Sequence, residues 1–120
     1  MMIDMEMNMN SELDLYLEYI REDYRQWMTR CSKSDERGLD IIRQEMIDQF
    51  VANTEYEVGK KYIKVITNGS VHSFIVKKDG GKWRAGDILK AASWRAPATN
   101  FKRGNILEKN YGGTTWTGAM

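Results

Sequence analysis

The apolar residues of this 120-residue chain change their period once, and that change limits what the chain can fold into. From Ser11 to about residue 54 they recur every three or four positions; after Gly59 they alternate. The first pattern lines one face of a helix and the second lines one face of a strand. Helices first and strands afterwards predict an α+β fold, with two N-terminal helices followed by a small antiparallel β-sheet. The length supports one hydrophobic core, hence a single domain over residues 11–120, with a helical hairpin at 11–54 and a β unit at 56–118.

Leu13, Tyr16, Leu17, Ile20, Tyr24, Trp27 and Met28 form the first stripe and predict a helix from about Glu12 to Arg30. Ser11, followed by Asp14, is the expected N-cap. Residues 1–10 mix five methionines with acids and asparagines in no period, and are expected to be a flexible leader. Cys31-Ser32-Lys33 would link the helices, and Ser34-Asp35-Glu36 would cap the second. Leu39, Ile42, Met46 and Phe50 carry that second helix to about Ala52 or Asn53. Tyr16 and Tyr24 make the first helix aromatic over a face wider than one neighbour needs, which predicts a partner subunit and a homo-oligomer.

Residues 62–67 and 71–76 are rich in β-branched and aromatic residues, and Asn68-Gly69 lies between them. That dipeptide accepts the positive φ angles of a type I′ turn, so a β-hairpin is predicted. Asp79-Gly80-Gly81 reads as a turn and Ile88-Leu89 as a short strand. Ile106-Leu107 and residues 114–117 read as closing strands around a Gly112-Gly113 turn.

Charge is unevenly placed. The net charge is +1, yet residues 1–56 sum to −7 and residues 57–120 to +8. Such a dipole predicts pairing of unlike surfaces or an anionic ligand held by the second half. Near-neutrality overall argues against a general polyanion coat, so no stable nucleic-acid complex is expected. No apolar run reaches the roughly 18 residues of a membrane span, and the acidic N-terminus is unlike a signal peptide. The expected location is the cytoplasm.

The inventory for catalysis is poor. His72 is the only histidine and Cys31 the only cysteine, so a His-pair metal site, a Cys cluster and an intramolecular disulfide are excluded within one chain. Phosphate-binding loop and dinucleotide fingerprints are absent. The chain is expected to be a non-enzyme with no cofactor and no metal.

Residues 91–105 have no period and hold Trp94, Arg95, Asn100, Phe101, Lys102, Arg103 and Asn105. These supply stacking planes, guanidinium forks and amides, the parts a nucleotide site requires. A packed loop with its tryptophan in the core and its arginines in solvent accounts for the same composition. Trp27 lies on the helical stripe, where packing is the default, although Arg25 and Gln26 beside it could read a base. Trp83 and Trp116 read as packing residues.

Tyr62-Ile63-Lys64-Val65-Ile66, residues 86–92, Ala96-Pro97-Ala98, Arg103-Gly104-Asn105-Ile106 and Trp116-Thr117-Gly118, after a helical Tyr24-to-Met28 segment, resemble the anti-Thoeris proteins of bacteriophages. The likeness covers roughly the second half of the chain. It implies a sponge that binds a cyclic ADP-ribose isomer without cleaving it and starves a bacterial anti-phage effector. It also implies helix-mediated assembly and, in some members, cyclic oligonucleotides at separate sites. By the resemblance, Trp27 is the helix aromatic, Arg103 and Asn105 belong to the Arg-Gly-Asn motif, Asn100 lies in the same segment, and Phe74 and Arg95 follow from position in the pattern; Trp94, taken from the loop's composition, completes the expected ligand site. A phage-type protein that docks on a host protein, or a weak single-strand nucleic-acid binder, would use the same residues.

Overall fold

The computed structural model describes residues 2–30 and 37–119, with side chains from Asn10 to Thr29 and from Ile41 onward. Helix α1 spans Met2–Arg30 and helix α2 spans Arg37–Ala52. Strands β1 (Thr54–Val58), β2 (Tyr62–Thr67), β3 (Ser70–Val76) and β4 (Ile88–Lys90) form an antiparallel sheet in chain order. Strands β5 (Thr114–Thr115) and β6 (Gly118–Ala119) make a separate small hairpin. The two-helix, antiparallel-sheet α+β architecture is the one predicted.

α1 begins at Met2, so the expected leader continues the helix and Ser11 lies inside it rather than capping it. The Cys31–Lys33 link and the Ser34–Glu36 cap lie outside the described residues. Of the α1 stripe, Leu13, Tyr16, Leu17, Ile20, Tyr24 and Met28 are buried against Ile63, Val65, Ile75, Ile88 and Ile106, while Trp27 stays half-exposed. Tyr16 and Tyr24, whose aromatic face predicted a partner subunit, are covered within the chain by Tyr111, Phe50 and Trp116. α2 behaves differently. Phe50 is buried and stacks on Tyr24 at 4.1 Å, but Ile41, Ile42 and Met46 are exposed.

The Asn68-Gly69 turn forms as predicted, with φ of 48° and 80°. Strand β1 was not foreseen. Glu55 and Glu57 disfavour a strand locally, but Tyr56 turns inward onto the core while both glutamates face outward. Thr54 welds the strand to the helix before it, its hydroxyl donating to the Phe50 carbonyl at 2.6 Å.

The expected pairing of Ile106-Leu107 with residues 114–117 does not occur. Residues 106–109 form a turn closed by reciprocal Asn105 and Asn110 backbone bonds, and Thr114 and Thr115 pair instead with Ala119 and Gly118.

The β2–β3 register slips between Val65 and Ile66, leaving His72 without a cross-strand partner. This bulge turns both His72 and Ser73 toward the helices. His72 Nε2 donates to the Thr115 carbonyl at 2.6 Å, Nδ1 contacts Ser73 Oγ at 2.9 Å, and Ser73 Oγ contacts the Tyr16 hydroxyl at 2.8 Å. Burial lowers the His72 pKa to about 4 and raises that of Tyr16. The ring is neutral, bonded at both nitrogens and enclosed, so it serves as a structural tie between β3 and the β5–β6 hairpin.

Candidate functional site

The long loop between β4 and β5 is folded by one buried carboxylate. Asp87, 1% exposed, accepts the Arg84 backbone amide at 2.8 Å and the Asn105 side-chain amide at 2.9 Å, and pairs with Lys102 at 3.5 Å. Asn105 donates also to the Ala85 carbonyl, while its Oδ1 accepts the Leu107 and Glu108 amides. Every polar atom of the Asn105 side chain is occupied within the chain, its amide by the segment before β4 and its oxygen by the turn that follows it. Its role is to hold the segment against β4, where Arg103 donates to the Ile88 carbonyl and Gly104 accepts from the Ile88 amide.

Arg103 is 8% exposed. One terminal nitrogen donates to Asn100 Oδ1 at 3.0 Å and to the Phe101 carbonyl at 2.7 Å, and the guanidinium lies 3.9 Å from the Phe101 ring centroid. Its Nε is buried and makes no hydrogen bond. Phe101 stays 56% exposed, so one aromatic face remains open. Gly104 has φ of 153°, and a Cβ there would collide with the Asn110 carbonyl oxygen. Gly113 is equally confined by the Arg103 carbonyl. Phe101, Lys102, Arg103, Asn110 and these glycines wall a cleft of about 490 Å³.

A second, separate cleft of about 230 Å³ lies on the sheet face turned away from the helices, lined by Glu57, Lys60, Lys61, Tyr62, Lys64, Phe74 and Arg95 among others. Lys64 and Phe74 are cross-strand partners there, and the Lys64 ammonium sits 4.4 Å over the Trp94 ring.

The structure therefore divides the predicted site residues into three groups. Asn100, Arg103 and Asn105 share one loop, with Arg103 lining the first cleft, Asn100 bonded to Arg103 outside the lining, and Asn105 beneath it. Phe74 and Arg95 line the second cleft, with Trp94 beside them. Trp27 stands apart, half-exposed and packed 4.9 Å from Trp116. Phe101 belongs to the loop that the sequence singles out but not to the expected ligand residues; its exposure marks it as one. Lys64 was missed, although strand alternation places it on the face of Tyr62 and Phe74.

The family model of DUF7717, a family of unknown function, matches residues 2–120. The chain belongs to the DUF7717 family. No curated protein and no solved structure matches this DUF7717 chain. Among its described residues no group of three or more His, Cys, Asp or Glu side chains is placed to hold a metal ion, and no helix is long and apolar enough to cross a membrane.

Proposed function

We propose that this DUF7717 protein binds a cyclic ADP-ribose-type nucleotide intact, in the cleft between Phe101 and Gly113, and so withdraws the signal of bacterial anti-phage (Thoeris) immunity. The observation that carries the reading is the Arg103 clamp: a guanidinium already ordered by Asn100 and the Phe101 carbonyl beside an exposed aromatic plane. A side chain held in place before the ligand arrives loses little entropy on binding, which favours tight capture and slow release. Phe101 would stack the base, and Lys102 with Arg103 would face the phosphates. His72, the chain's only histidine, is sealed in the core, so no imidazole is offered at this cleft.

Action in the host cytoplasm and self-association belong to the same proposal, the latter supported by exposed Ile41, Ile42 and Met46 on α2. The test is capture and release. The protein is incubated with cyclic ADP-ribose isomers, filtered, washed and heated, and the released material is weighed by mass spectrometry. Intact cyclic ligand is expected. A linear product indicates an enzyme, and no released nucleotide refutes the proposal.

A further inference from the structure

The charge of the chain, nearly nil in sum, is separated by the sheet. α1, the longer of the two acid-bearing helices, packs on the inner sheet face through Tyr16, Ile20 and Leu13, and α2 stacks on α1. Apart from Lys102 and Arg103 at the other cleft, residues 60–95 hold nine Lys and Arg against two acids, Asp79 and Asp87. Asp87 is buried and paired with Lys102, and among the described residues none of those nine cations forms an ion pair. Glu55 on edge strand β1 bounds this basic surface on one side, while Glu57, the β1 cross-strand partner of Lys64, lines its cleft.

Two tryptophans with cations over their rings adjoin the outer apolar cluster of Phe74, Val76 and Leu89. Trp83 packs directly on that cluster with Lys82 4.7 Å above its ring. Trp94, 47% exposed, carries Lys64, and Lys64 pairs across the strands with Phe74. Aromatic planes interleaved with cations on an open sheet are what a single strand needs, because every base offers a π-face and every linkage a phosphate. Small anions need only one such unit; this face repeats it.

We infer that the outer sheet face is a docking surface for single-stranded nucleic acid, with Trp94 stacking a base and Lys64 and Arg95 on the adjoining phosphates. The +1 net charge pointed against such a complex because a sum over the chain hides where the charges lie; the sheet puts distance between the basic face and the helices. This surface shares no lining residue with the Phe101–Gly113 cleft, so it stands or falls independently of the nucleotide proposal.

Fluorescence anisotropy of a labelled oligothymidylate of about 15 nucleotides tests it, at about 50 and about 200 mM salt. Binding is expected at low salt, weakening by about fiftyfold between the two if four phosphates are neutralised. Trp94→Ala, at an exposed position, should weaken binding by about tenfold. Lys64→Ala should make the logarithmic salt slope shallower by about 0.7. No binding at low salt overturns the inference. So does binding that Trp94→Ala leaves unchanged, or a polyglutamate competitor that displaces the strand as well as unlabelled oligonucleotide does.

Discussion

The side-chain amide of Asn105 donates to Asp87 Oδ1 at 2.9 Å, joining the Arg-Gly-Asn segment to the strand it runs beside. Both residues are almost wholly buried, and four further hydrogen bonds radiate from the pair to backbone atoms between Arg84 and Glu108. The geometry of the Phe101–Gly113 cleft depends on this contact, although neither residue lines the cleft.

Asn105→Ala should therefore lower stability by roughly 2–3 kcal/mol, because Asp87 loses a donor and two backbone amides lose their acceptor. Urea unfolding should show a lower midpoint with an unchanged slope. A midpoint equal to that of the parent protein would mean the loop is held by other contacts.

Gly104 and Gly80 make an internal comparison. Gly104→Ala combines a positive φ with a collision on the Asn110 carbonyl, and should cost more than about 1 kcal/mol. Gly80 has open space around its Cβ position, so Gly80→Ala should fall within about 0.5 kcal/mol of the parent. Thermal melts of the two variants check the difference.

Stability should fall on acidification through the His72 window. Its pKa is about 4 folded against 6.5 for the free side chain, so between these values the unfolded chain binds the extra proton. This contribution is complete above pH 6.5, declines as pH drops, and is exhausted near pH 4, a loss of about 3 kcal/mol. His72→Gln should lower stability at neutral pH and flatten that part of the pH profile. A profile as steep as the parent's would assign the acid sensitivity to other groups.

Trp27 separates two roles that the sequence left open. It is 39% exposed and shares its contact with Trp116, so Trp27→Ala should cost less than the roughly 3–5 kcal/mol of a buried tryptophan. It stands apart from the Phe101–Gly113 lining, so capture of cyclic ADP-ribose by a monomer should be unchanged. Loss of capture together with loss of self-association, read by native mass spectrometry, would instead place Trp27 at a junction between subunits.

The parts of the fold legible in the sequence are those set by local chemistry. The α1 stripe and the Asn68-Gly69 hairpin need only periodicity and a turn dipeptide. β1 escaped notice because its two glutamates face outward and break the run of β-branched residues that marks the other strands, although its pairing with β2 across residues 59–61 is local. The turn at residues 106–109 was hidden for a different reason: the Asn105 side chain organises it, and the apolar Ile106-Leu107 pair imitates a strand. At the site, the mixture of aromatic, cationic and amide side chains marked the right loop. It could not show that Asn105 is spent on holding the loop, nor that Phe74 and Arg95 belong to another face, because both follow from how the loop crosses the sheet.

Isothermal titration of cyclic ADP-ribose isomers into the parent protein and into Phe101→Ala tests the central claim most directly. Phe101 is exposed, so its loss removes the stacking plane without opening the core. Saturable binding of at least one isomer, weakened about tenfold or more in the variant, is the predicted result. Absence of binding by the parent protein, or equal affinity in both, would contradict the account.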